Sequence, residues 1–317
     1  MLTVYDWADQ IPLERPRAVL TVGVFDGIHL GHQYLIKQVI ERAKANQAVS
    51  LVLTFEPHPL AVISKASAPE VLTTFKHKAE IMEGLGLDIF GCLKFDDSLR
   101  NMGAQQFLDS ILGAMVKPVE IIVGPDFRFG RNAEGQVGIL REWAKAHRAK
   151  VIEAELQKGR DVIYSSSHIR GLLKIGLVDA AALILSRPYR LSGRVVAGQA
   201  RGRHLGFPTA NLGQIAQLVP GPGVYAVKAR LRGQVFDGMT SVGHNPTFAN
   251  QYRTVETYLF DFEDDFYNEI LDLDFVGHLR GMVKFDGIEG LVRQLKNDEQ
   301  AARVLLTNLS TGLPVNN

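Results

Sequence analysis

Through the first half of the chain, apolar runs of strand length alternate with stretches whose apolar residues recur at helical spacing. Ala18-Val-Leu-Thr-Val-Gly-Val24 is a continuous, mostly apolar run of the kind buried in a parallel sheet. Leu35, Ile36, Val39, Ile40 and Ala43 then fall on one face of a predicted helix. Val49-Ser-Leu-Val-Leu-Thr-Phe55 predicts a second buried strand, ended by the Pro57-His58-Pro59 turn because proline donates no ladder hydrogen bond. A helix over 75–85, a strand over 88–95, a helix over 104–115 and a strand over 120–124 follow. This alternation implies a doubly wound, Rossmann-like parallel sheet, with ligands expected at the carboxyl ends of its strands.

After Ser186 the period changes from helical to twofold. Alternating patterns at 189–196, 223–231, 234–242, 254–260 and 270–275, separated by Gly and Pro, predict an antiparallel barrel or sandwich. A helical segment over 288–306 closes the pattern. The boundary is expected near Leu185–Pro188, giving an α/β domain over 1–186 and a mainly-β domain over 187–317. No internal repeat or low-complexity segment interrupts either half.

Charge narrows the partners. Lys and Arg number 21 against 21 Asp and Glu up to Ser186, and 14 against 13 beyond it. Neither half is polybasic, so neither nucleic acid nor an anionic membrane is the expected partner. Cys92 is the sole cysteine, which excludes an intrachain disulfide and a cysteine-rich zinc site; its apolar neighbours read as strand core. The N-terminus lacks a signal-peptide pattern and no apolar run is long enough to span a bilayer, so a reducing cytoplasm is expected. An oligomer is compatible with the sequence, which does not fix one.

Two motifs carry phosphate chemistry. His29-Leu-Gly-His32 lies between a predicted buried strand and a helix start, where unpaired N–H groups and the helix dipole favour an anion. Histidines three apart can converge on it, and Gly31 lets a nucleotide approach the backbone. The preceding Gly23-Val-Phe25-Asp26-Gly27 sharpens the signal. In a doubly wound sheet three further segments would converge there: Pro57-His58-Pro59, the Asp126-Phe-Arg-Phe stretch, and Ser165-Ser166-Ser167-His168-Ile-Arg170 at a helix start. Each alone is also explained as a cap or a turn brace.

Gly202-Arg203-His204-Leu205-Gly206-Phe207-Pro208-Thr209-Ala210-Asn211 is the second motif. Residues i and i+2 of an extended segment face the same way, so Thr209 and Asn211 can share a ligand. Neutral oxygens, with phosphate and water completing the shell, suit Mg²⁺. Pro-Thr-Ala-Asn in isolation also reads as an Asx-capped turn, and Glu256 in isolation as a solvated strand residue.

Together these stretches resemble the bacterial bifunctional riboflavin kinase/FAD synthetases over roughly residues 15–306. The companion segments Gly221-Pro-Gly-Val-Tyr225, Gly243-His-Asn-Pro246, Val255-Glu256-Thr257 and Asp261–Tyr267 occur in the family's order. The resemblance implies ATP, riboflavin and FMN as substrates and Mg²⁺ as cofactor. It implies that His29, His32, Asp126 and Arg170 act in FMN adenylylation and that Glu256 is the general base of riboflavin phosphorylation. Nucleotide or phosphate contacts are implied for Gly23, Phe25, Asp26, Gly31, Ser166, Ser167, Gly202, Arg203 and Gly206. Flavin contacts are implied for Pro57, His58, Pro59 and Arg280, and metal ligation for Thr209 and Asn211. Ser167 stands where the family usually has Thr, and Met282-Val283 where many members carry an acid. A single-activity adenylyltransferase with an inactive barrel, and a flavin-binding protein without turnover, are the alternatives.

Overall fold

Parallel pairing of the first half's apolar runs builds one six-stranded sheet. The computed structural model describes residues 1–4, 14–154, 164–198, 206–244 and 253–310. Packing groups Met1–Val71 with Phe75–Ser165 as one unit, and Leu72–Thr74 with Ser166–Asn317 as a second.

In the first unit the strands are β1 (Leu2–Val4), β2 (Arg17–Val22), β3 (Val49–Glu56), β4 (Ile89–Lys94), β5 (Lys117–Val123) and β6 (Lys150–Glu153). Their order is β1-β4-β3-β2-β5-β6 and every pairing is parallel. Between them run α1 (Leu30–Ala45), α2 (Pro59–Ile63), α3 (Phe75–Gly84), α4 (Asp97–Asn101), α5 (Ala104–Phe107) and α6 (Val137–Ala146). Helices cover both faces, so β2 and β3 are buried nearly throughout, as their continuous apolar runs require. Ile36, Val39, Ile40 and Ala43 of α1 are the residues it buries. The chain winds away from β2 in both directions, through β3 and β4 on one side and β5 and β6 on the other. A crevice beyond the carboxyl ends of β2 and β5 is the consequence.

The helix expected over 104–115 forms with a widened middle. After α5, Leu108–Gly113 is π-helical, and there Trp143 Nε1 donates to Asp109 Oδ1 at 2.7 Å. β1 and β6, too short to show a period, went unanticipated.

The second unit begins with α7 (Ser166–Lys174) and α8 (Val178–Leu185). Its strands are β7 (Tyr189–Val196), β8 (Thr209–Gly213), β9 (Gly223–Leu231), β10 (Gln234–His244), β11 (Arg253–Leu259) and β12 (Ile270–Arg280), followed by α9 (Ile288–Ser310). They close into a barrel in the order β10-β11-β8-β7-β12-β9, with β10 also pairing β9, which decides barrel over sandwich. Closure leaves no unpaired sheet edge. Packing divides the chain after Ser165, earlier than the boundary expected at 186/187. The reason is that α8 buries Val178, Ala181, Ile184 and Leu185 and packs on β7 and β12.

Alternation along β8 and β11 sets two faces. Ala210, Leu212, Val255 and Thr257 are buried, and Thr257 shares a 2.9 Å hydrogen bond with Thr240. Thr209, Asn211, Glu256 and Tyr258 occupy the opposite face. There α9 lies over the barrel wall, where Ala302 and Leu306 cluster with Phe207, Met239 and Phe260.

Candidate active sites

The loop leaving β2 enters the crevice of the first unit in a strained conformation. Phe25 and Ile28 hold φ of 48° and 39°, in the left-handed region that non-glycine residues avoid. Strain of this kind costs about 1–3 kcal/mol per residue and persists where surroundings over-determine it. The Phe25 ring lies over Gly23 and meets His32 edge-on at 5.2 Å between centroids. Asp26 is buried.

His29 is the N-cap of α1, its Nδ1 accepting from the backbone N–H of His32 at 3.4 Å. An accepting Nδ1 puts the proton of a neutral imidazole on Nε2, which is the donor a phosphate oxygen needs. The His29 and His32 rings are stacked with centroids 3.7 Å apart. A side chain at position 31 would begin 3.2 Å from the His29 ring, so any larger residue there presses on that ring. Burial, then the neighbouring His29 and Lys78, hold His32 well below the usual histidine range, so it is neutral at pH 7. Its buried Nδ1 has no hydrogen-bond partner among the described residues.

Sequence reasoning missed Lys78. It is 3% exposed on α3, and its Nζ donates to the Val24 carbonyl at 3.1 Å. Thr54 Oγ1 donates to the same carbonyl at 3.0 Å. Burial lowers the Lys78 pKa against the opposing pull of Asp26, Glu56 and Cys92. A lysine at i+3 from Phe75 and i−4 from Met82, both buried, breaks the apolar stripe of α3. That break was the available signal.

A cavity of about 560 Å³ opens beside this loop, lined by Gly23, Pro59, Asp126, Phe127 and Arg128 among others. It joins the loop after β2 to the loop after β5, as the strand order requires. Of the proline turn, Pro59 lines the cavity whereas Pro57 and His58 do not; His58 Nδ1 caps α2 by accepting from Leu60 N–H at 3.1 Å. Ser166, Ser167 and Arg170 sit in the first turns of α7, which packs in the second unit.

In the second unit, β8 and β11 bring three of the expected residues together. Asn211 pairs directly with Glu256, and Thr209 with Tyr258. Glu256 in turn pairs with Ser241 on β10. Thr209, Ser241, Glu256 and Tyr258 line a cavity of about 330 Å³ between the barrel wall and Leu291 and Leu295 of α9. A second cavity of about 270 Å³ is lined by Pro208, Thr209, Leu259 and the 262–267 turn. Thr209 belongs to both. Arg280 borders the larger cavity, but its Nη2 and Nε are engaged by Asp298 at 2.6 and 2.9 Å. Its guanidinium therefore ties α9 to β12, a role the sequence did not disclose. Gly206 adopts φ 82° in the turn before β8. Gly202 and Arg203 lie outside the described residues.

The neutral oxygens of Thr209 and Asn211, on one face and opposite a carboxylate, fit a hard cation that keeps phosphate and water ligands. No group of three or more His, Cys, Asp or Glu able to hold a metal occurs among the described residues. No helix among them is long and apolar enough to cross a membrane.

Comparison with known proteins follows the same division. A family model described as FAD synthetase matches residues 11–168, and one described as riboflavin kinase matches residues 185–306. The bifunctional riboflavin kinase/FMN adenylyltransferase of Listeria monocytogenes is 36% identical over 97% of this chain and 96% of its own. The Bacillus subtilis protein of that name is 33% identical over 93% and 95%, and the Escherichia coli protein 32% over 90% and 91%. A solved structure described as a macrolide-efflux protein from Streptococcus pneumoniae shares the fold, with a TM-score of 0.83 and 29% identity over 96% of this chain and 99% of that one.

Proposed function

Because the chain belongs to the family of bifunctional riboflavin kinase/FMN adenylyltransferases, we propose a division of labour between its two units. It is an enzyme of two activities: ATP phosphorylates riboflavin to FMN in the barrel, and ATP adenylylates FMN to FAD in the α/β unit.

In the barrel, the larger cavity takes the flavin and the smaller one the nucleotide. The observation that carries this is Thr209, which lines both and so stands where a phosphoryl group passes between them. Glu256 accepts the proton of the ribityl 5′-hydroxyl as that oxygen attacks the γ-phosphorus, and ADP leaves. Thr209 and Asn211 hold Mg²⁺, which supplies charge neutralisation on the ATP phosphates when bound. Gly206 approaches those phosphates, and we assign Gly202 and Arg203 to them on their sequence motif alone.

In the first unit the 560 Å³ cavity takes the flavin of FMN, within the usual range for small-molecule pockets. A phosphate oxygen of FMN attacks the α-phosphorus of ATP and pyrophosphate departs. His29 and His32 donate to the phosphoryl oxygens as charge develops, with Asp126 beside the reacting groups and the 23–31 loop around the nucleotide. We assign Ser166, Ser167 and Arg170 to the triphosphate on their sequence motif. The chemistry is positioning and neutralisation, with no covalent enzyme intermediate. We place the enzyme in the cytoplasm, where ATP is available and a lone buried Cys92 stays reduced.

Purified protein supplied with riboflavin, ATP and Mg²⁺, with FMN and FAD followed separately, tests the reading. Both products are expected in succession. Absence of FMN would remove the kinase assignment; FMN accumulating without FAD would remove the adenylylation site.

A further inference from the structure

We propose that Lys78 is a positioning residue of the adenylyl-transfer site, its ammonium holding the loop between β2 and α1 in its working shape. The inference rests on the reading of the first unit as an adenylyltransferase. It starts from a residue in the wrong place for packing alone. Phe75, Lys78 and Met82 share the buried face of α3, where an apolar side chain would satisfy the core without removing an ammonium from water.

What Lys78 does in return is specific. The Val24 carbonyl receives two donors from two elements, Lys78 Nζ at 3.1 Å and Thr54 Oγ1 at 3.0 Å. Immediately beyond it the backbone turns through Phe25 at φ 48°, Gly27 at 83° and Ile28 at 39° before reaching His29. A trans peptide directs the N–H of Phe25 away from the fixed Val24 carbonyl, so anchoring one group orients the next. The carboxylate of Asp26, buried in this loop, is a charge partner of the ammonium, which is also felt at His32. One buried cation thus holds the loop at its entry by a hydrogen bond and acts on Asp26 and the histidine pair through its charge. Strain of this kind relaxes unless such contacts hold it.

The full chain provides its own control, because riboflavin phosphorylation belongs to the other unit. In Lys78→Met we expect kcat/KM for ATP in FAD formation to fall about 100-fold, the scale of a small misplacement of reacting groups. FMN formation from riboflavin should stay unchanged in the same sample, and peptides spanning 23–29 should exchange amide hydrogens faster. Lys78→Arg, which keeps charge and donors, should recover part of the loss. Wild-type protein that makes no FAD would sink the reading of the unit itself. Wild type active with Lys78→Met equally active would overturn only the inference. FAD output that falls in both variants merely in step with the folded fraction, followed by tryptophan fluorescence, would overturn it too.

Discussion

Asn211 on β8 stands directly across the ladder from Glu256 on β11, although 45 positions separate them in the chain. An antiparallel pair places such residues about 5 Å apart with side chains on one face. The amide we assign to the metal and the carboxylate we assign to proton acceptance are thereby held on adjacent, paired strands rather than on loops. Thr209, two residues before Asn211, extends the same face into both cavities.

Asn211→Ala should therefore abolish FMN production while FAD formation from supplied FMN persists. Glu256→Gln should lower the kinase kcat by about 10²- to 10⁴-fold, the usual contribution of a general base, with little change in KM for ATP. Steady-state assays of each activity on the same preparation check both, and parallel loss of the two activities would refute independent sites.

Gly198 makes a sterically sharper prediction. A Cβ there would begin 2.6 Å from Cγ of Asn211, so Gly198→Ala must push the carboxamide aside. Kinase activity should drop at least about tenfold from misplacement of the carboxamide, with little change in stability because the displaced group is the end of a movable side chain. Raised Mg²⁺ demand in FMN formation, with unaltered FAD formation, is the measurement.

Asp298 holds Arg280 from α9, and the carboxylate is 4% exposed. Removing one partner of a buried pair costs about 3–5 kcal/mol by stranding the other charge. Asp298→Ala should loosen α9 from the wall of the larger cavity and raise KM for riboflavin; unchanged KM and unchanged thermal unfolding would count against this.

His32 links the first site to pH. Its folded pKa lies well below 6.5, so below pH 6.5 the unfolded chain takes up a proton that the folded unit refuses. Stability is full above that pH and declines as pH falls through 6.5, by at most about 1.4 kcal/mol per unit per proton. Trp7 and Trp143, both tryptophans of the chain, precede Ser165, so fluorescence during denaturant titration at pH 7.5 and 5.5 reports this unit. His32→Asn should flatten the dependence and abolish FAD formation, with riboflavin phosphorylation retained.

Much of the architecture was legible because its signals are local. Ala18–Val24 and Val49–Phe55 are mostly apolar, as a sheet covered on both faces requires, and β2 and β3 are such strands. β7 occupies the expected 189–196, where alternation is complete, and β9 the expected 223–231, where alternation marks only its second half. The helix over 104–115 forms as its composition predicts, but its widened middle was not legible, because the contact that accompanies the π-turn, Trp143 to Asp109, comes from a residue 34 positions away. Packing drew α7 and α8 into the second unit because α8 lies on the barrel strands β7 and β12 and α7 packs on α8, contacts that texture along the chain does not reveal.

The sequence alone determined the two phosphate motifs, the change of period after Ser186 and the residue types able to do each chemistry, because these depend on neighbours a few positions apart. Tertiary structure alone decided that Asn211 faces Glu256, that Arg280 is engaged by Asp298, and that Lys78 lies buried under the loop before His29. Each of those is a pairing between distant segments, set by strand register and core packing, and no local pattern encodes which charge a folded chain will bring to which partner.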